Sequence, residues 1–185
     1  MSKVIIFLAQ GLEECEALVP ADLLRRAGVE VTLAAIGGSK TVTGSHQITI
    51  EADTLAEDAA LSEYDALFLP GGLPGTTHLA ESGLVKEAVL SFHKAGKIIS
   101  AICAAPSIFG SLGLLEGKNA TSHPSFEDKL TGAHVTGHLV DVDGNITTGR
   151  GLGAAIPFGL KLVEQLVSRE KAEEIAKAIA YPYEF

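Results

Sequence analysis

The stretch IISAICAAPS, residues 98–107, decides how the whole chain is read. An apolar run rich in isoleucine stops on Cys103, two alanines follow, and a proline stands three places further on. Such a run, closed by small residues, reads as a buried strand. Pro106 fits the first turn of a helix, where its missing N–H would be unpaired anyway. The stretch is therefore a strand, a corner and a helix, with Cys103 at the corner. The plain reading of that thiol is a core residue, because free cysteine behaves as a small hydrophobe. The sharper reading is a nucleophile, since a helix start lowers a thiol pKa and favours thiolate. Ala104 and Ala105 keep the corner narrow, so backbone N–H groups point at the same spot. The corner placement favours the nucleophile.

The same rhythm extends in both directions. Residues 4–8 read as a strand, and 13–27 as a helix stopped by Gly28. A strand follows at 29–36, then a hairpin over 41–50, a strand at 66–69 and a helix over 84–95 ending at Gly96. The strand at 97–102 feeds a helix from Ala105 onward. A second hairpin turns at Asp143-Gly144, and two closing helices lie within 154–167 and 170–180. Strands apolar on both faces, alternating with helices, predict an α/β fold with a mostly parallel sheet covered by helices on both sides. With no internal repeat and no linker, residues 1–185 read as one domain.

A net charge of −9 argues against nucleic acid and anionic membrane as partners. No apolar run is long enough to span a bilayer. Lys3 and the short run after it imitate a signal peptide, but Glu13, Glu14 and Glu16 stand where a small-residue cleavage site belongs. Cys15 and Cys103 form no CxxC and no disulfide framework, which points to a reducing cytoplasm.

In a doubly wound sheet, ligands sit at the carboxyl ends of the strands. Three strands end unusually: before Gly11, at Pro70-Gly71-Gly72, and at Cys103. Two glycines after a strand read as a turn, or as a backbone N–H pocket for an oxyanion. The glutamates opening the first helix suit its dipole without any function. Cys15, Leu18, Val19 and Asp22 share a face there, and Pro20 cannot donate to the carbonyl of Glu16. A kink is expected, aiming Glu16 inward, where its pKa would rise and it could share a proton with Cys103. His93 reads as a helix surface residue. His123, in Thr121-Ser122-His123-Pro124, is the best imidazole partner for Cys103, with a structural role as the plain alternative. HExxH, paired cysteines and His-x-His are absent, so neither metal nor cofactor is expected. Residues 149–153, GRGLG, follow a hairpin and lack the spacing of a dinucleotide or phosphate loop.

Taken together, Gly11 to Ala17, Val19 to Gly28, Leu69-Pro70-Gly71-Gly72, Ala101 to Ala104 with Pro106, and Thr121 to Pro124 resemble the ThiJ/PfpI superfamily. The likeness is to its branch of parkinsonism-associated deglycases and runs nearly end to end. The resemblance implies a flavodoxin-like three-layer sandwich, a homodimer and a nucleophile elbow at Cys103. It implies Glu16 beside the sulfur, His123 nearby but imperfectly placed, and an oxyanion site from the N–H groups of Gly72 and Ala104, next to Gly71. It implies a cofactor-free glyoxalase or deglycase acting on methylglyoxal-type dicarbonyls or early glycation adducts. The alternatives it carries are an oxidative-stress sensor and a redox-regulated chaperone. Ala105 stands where relatives often have glycine and is expected to narrow the pocket; His46 stands where they often have arginine. Ala104 replaces the histidine of the protease branch, and Gly-x-Cys-x-Gly is missing, which counts against peptidase and amidotransferase activity.

Overall fold

A computed structural model describes residues 1–182. In chain order the elements are β1 (Lys3–Leu8), α1 (Glu14–Arg26), β2 (Glu30–Ala35), β3 (Thr41–Thr43), β4 (Thr49–Glu51), β5 (Thr54–Leu55) and β6 (Ala66–Leu69). Then come α2 (Gly75–Glu81), α3 (Gly83–Lys94), β7 (Ile98–Ile102), α4 (Pro106–Ser111), β8 (Asn119–Ala120) and β9 (His134–Val135). The chain continues with β10 (Val140–Asp143), β11 (Ile146–Gly149), α5 (Ala155–Leu166) and α6 (Arg169–Ala178).

The main sheet runs β10-β11-β7-β6-β1-β2-β5, parallel throughout except for β10 against β11. Strand side chains alternate between the two faces. Val4, Ile6 and Leu8 therefore pack with Ala17, Leu24, Phe158 and Val163 of α1 and α5. Ile5 and Phe7 go to the other side, with Val89 and Phe92 of α3 and Phe109 of α4. This is the expected three-layer sandwich, with both hairpins in place as β3–β4 and β10–β11. Each fully buried leucine or phenylalanine contributes roughly 1.5–3 kcal/mol against leaving it exposed.

The helix expected after Cys103 is present as the short α4. The short α2 is an addition to the expected elements: it starts at Pro74-Gly75 with no side-chain cap, so nothing local announces it. His93 is half-buried on α3 rather than a surface residue, and its ring Nδ1 has no partner. Among the described residues no helix is long and apolar enough to cross a membrane.

Candidate active site

From β1 the chain crosses to β2 on one side, and β6 later pairs on the other. That reversal makes the carboxyl ends of β1 and β6 a topological switch point, where doubly wound sheets bind ligands. Glu16 lies in the first turn of α1, beyond β1; Gly71 and Gly72 follow β6; Cys103 follows β7. The structure thus brings Glu16, Cys103 and the two glycines together.

Cys103 has φ +65°, a left-handed conformation disfavoured for a residue with a side chain. Such strain costs on the order of 1–3 kcal/mol and persists only where the surroundings impose it. Here Cys103 N–H donates to Gly149 O at 2.9 Å, and Cys103 O accepts from His123 N–H at 2.8 Å. The elbow is pinned from both sides, and the thiol is half-buried.

Glu16 is 1% exposed. Glu13 caps α1 by accepting the Glu16 N–H at 2.6 Å, which fixes the backbone from which the side chain turns inward. Glu16 Oε2 accepts from Gly71 N–H at 3.1 Å, and its carboxyl also meets the Leu152 N–H and the Cys103 thiol. α1 continues through Pro20 without interruption, over Glu14–Arg26. Pro20 seats α5, where a Cβ on Gly159 would lie 3.0 Å from Pro20 Cα.

Burial pushes the Glu16 carboxyl up to about 7, with the Glu13 charge adding to it and the Cys103, Gly71 and Leu152 donors opposing. Burial and then the neighbouring Glu16 charge push the Cys103 thiol up to about 12, while the N–H groups of Gly72 and Ala104 pull it down. The expected depression of the thiol pKa is therefore corrected. Burial of the sulfur, joined by the Glu16 charge, outweighs the dipole of a short helix. Above about pH 7 Glu16 is charged while the thiol keeps its proton.

Gly71 is fixed by contact. A Cβ there would lie 2.6 Å from Cys103 Cβ, 2.6 Å from Glu16 Oε2 and 2.9 Å from Ile102 O. Gly72 has φ +88°, and its Cβ would strike Glu13 N at 2.2 Å. Gly71 O accepts the Glu13 N–H at 2.9 Å, locking this turn to the start of α1.

His123 stands at the pocket mouth with an exposed side chain. Its backbone is tied to Cys103, but its ring Nδ1 lies 2.7 Å from Ser125 Oγ and accepts the Ser125 N–H at 3.3 Å. The pocket, about 510 Å³, is walled by Glu16, Cys103, His123 and Pro124 on one side. Its other wall is Leu139 and residues 150–154. The glycine-rich run, without the spacing of a phosphate loop, is thus a wall of the site. Arg150 within it pairs with Glu127 at 3.2 Å. Ala105 does not narrow this pocket; it packs in the core with Ile108 and Phe109.

The donor atoms of Glu13, Glu14 and His46 lie within 4.8 Å of one another, a trio that spacing could not announce. Glu14 is held by His46 N–H at 2.8 Å, Ile48 N–H at 3.2 Å and the His46 ring at 3.1 Å. Burial opposes its charge, but its own N–H and those of His46 and Ile48 prevail and hold the carboxyl below its usual value. His46 thus serves as a lid on a buried carboxylate.

Fold and site define an α/β sandwich carrying a cysteine on a strained strand-to-helix elbow, with a buried carboxyl beside the sulfur. Residues 2–165 match the DJ-1/PfpI family, and the chain belongs to it. It is 40% identical over 186 residues to Drosophila melanogaster protein dj-1beta, covering 99% of this chain and 100% of that one. The crystal structure of that relative has a TM-score of 0.93 to this fold. A structure described as Toxoplasma gondii DJ-1, oxidized, has a TM-score of 0.94 at 36% identity, covering 99% of this chain and 100% of the other. Caenorhabditis elegans glutathione-independent glyoxalase DJR-1.2 is 32% identical over 182 residues, 96% of this chain and 95% of its own. Two longer Arabidopsis thaliana DJ-1 homologs match over only 40% and 46% of their length.

Proposed function

We propose that the protein is a cofactor-free, cytoplasmic glyoxalase of methylglyoxal-type dicarbonyls, with early glycation adducts as a further substrate class. The observation that carries this is the buried pair of Glu16 and Cys103, whose carboxyl is pushed up to about 7. That is the ideal range for a general base at neutral pH. Cys103 sulfur adds to the aldehyde carbon while Glu16 takes the thiol proton. The carbonyl electron pair moves to oxygen, steadied by the N–H groups of Gly72 and Ala104. Glu16 returns the proton to that oxygen, giving a hemithioacetal. It then removes the C–H proton and passes it to the ketone oxygen, forming an enediol; it takes the proton of the first hydroxyl and delivers it to the neighbouring carbon, leaving a thioester. Water releases lactate and restores the thiol. The glyoxalase named among the relatives supports this reading.

The decisive assay follows lactate from methylglyoxal without glutathione, in wild type and Cys103→Ala. Lactate from wild type alone is expected; equal lactate from both would overturn the reading.

A second reading, oxidation of Cys103 as a stress signal, draws support from the relative described as oxidized and from the same carboxyl. A protonated Glu16 can donate to a sulfinate and halt the ladder there. Intact mass after mild peroxide should show two added oxygens on Cys103; sulfonate, or oxidation mainly at Cys15, counts against it. We further propose a homodimer. The exposed apolar groove of Leu18, Val19, Ile156 and Ile179 is a surface suited to it, and sedimentation equilibrium tests it.

A further inference from the structure

Beside His123, the mouth of the pocket carries three apolar side chains, each from a separate segment. Leu139 is 54% exposed and Leu152 is 50% exposed, both facing the pocket with Pro124. Exposed leucines scattered singly mean nothing, but apolar side chains gathered around a concave site mark a ligand surface. Each is held in place. Leu139 O accepts from Arg150 N–H at 3.0 Å, Leu152 N–H donates to Glu16, and Pro124 follows His123, whose N–H reaches Cys103 O at 2.8 Å. Arg150, the pocket's one cationic side chain among the described lining residues besides the ionisable His123, is engaged by Glu127 at 3.2 Å. Beside the exposed His123, what remains open at the rim is mainly hydrocarbon. A volume of about 510 Å³ is in the range of sites for drug-sized ligands, far larger than methylglyoxal requires.

We infer that this site selects 2-oxoaldehydes carrying an apolar chain, with Leu139 and Leu152 as the specificity-determining side chains. The inference rests on the glyoxalase reading for its chemistry, though not for its binding surface. The aldehyde end meets Cys103 and Glu16, and the alkyl chain lies along Pro124, Leu139 and Leu152. Each buried methylene is expected to raise kcat/KM by about threefold.

The test compares methylglyoxal with butylglyoxal, whose carbonyl groups are electronically alike, in the full-length protein. Butylglyoxal should exceed methylglyoxal in kcat/KM by at least about tenfold. Leu139→Ser and Leu152→Ser should each lower that ratio by about threefold or more. Leu90→Ser, on the exposed face of α3, should leave it unchanged. A binding arm uses Cys103→Ala protein and two ketones without an aldehyde, hydroxymethyl methyl ketone and hydroxymethyl butyl ketone, titrated by NMR. The butyl ketone should bind about tenfold tighter. Equal affinity for the two ketones, or equal kcat/KM for the two aldehydes, overturns the inference. Preferential ketone binding with no turnover of either aldehyde would uphold it and sink the glyoxalase reading instead.

Discussion

The two cysteines of this chain are one residue type in two settings. Cys15 is exposed on the outer face of α1, and Cys103 is half-buried on the elbow. Both thiols are pushed above their ordinary value by the same kinds of cause. At Cys15 they are burial and the charges of Glu13, Glu14 and Glu16; at Cys103, burial and the charge of Glu16. Acidity alone therefore does not separate the proposed nucleophile from a bystander here. The separation is geometric. Cys103 has a strained backbone that presents its sulfur, two N–H donors aimed at it, and a carboxyl placed to take its proton. Cys15 has acids nearby and none of the rest.

The largest expected effect tests that contrast directly. Cys103→Ala should reduce lactate formation to the uncatalysed background, whereas Cys15→Ala should stay within about twofold of wild type. A large loss in Cys15→Ala would erase the distinction. Next comes the proton acceptor. Glu16→Gln should lower kcat by about 10²–10⁴-fold. In wild type, kcat/KM should rise with pH as Glu16 ionises around pH 7 and level off above it. A rate that keeps climbing toward the thiol's own range, about 12, would mean that free thiolate attacks unaided.

Gly71→Ala probes the packing that makes the contrast possible. Its methyl group would fall within van der Waals overlap of Cys103 and Glu16. A loss of roughly 10²–10³-fold is expected, with about 1–3 kcal/mol of stability, measured by turnover and urea unfolding. Stability against pH gives a smaller effect with a definite sign. A carboxyl raised in the folded state binds its proton more tightly there than in the unfolded chain. Stability is therefore lost as pH rises from the ordinary carboxyl range through about 7, by about 3 kcal/mol at most. Glu16→Gln should thus gain on wild type in Tm between about pH 5 and pH 8. A constant difference would show that Glu16 is not raised.

Much of this contrast is legible in the sequence because it is local. A β-rich run ending on Cys103 before Pro106, the Gly71-Gly72 pair after a strand, and Glu16 in a first helical turn are each readable within a few residues. The pocket's far wall is not. Residues 150–154 reach Cys103 only because β11 pairs beside β7, and Leu139 joins them through the β10–β11 hairpin. The thiol's upward shift escapes a local reading for a related reason. It depends on burial and on Glu16, eighty-seven positions away in the chain, whereas a helix dipole involves only the few residues just after Cys103. The trio of Glu13, Glu14 and His46 is likewise closed by a hairpin.

His123 gives the smallest expected effect and the sharpest use of the comparison. Sequence position makes it the natural partner for Cys103, and the backbone does join them. Its ring does not: Nδ1 is taken by Ser125, and Glu16 already meets the thiol. A thiol with a carboxyl at hand has no need of imidazole as its base. His123→Ala should therefore lower kcat/KM by less than about tenfold, well short of a general base's contribution. The pH profile near 7 should survive, since Glu16 sets it. Loss of that profile in His123→Ala, with Glu16 intact, would transfer the proton-accepting role to the imidazole and make the elbow a cysteine–histidine site.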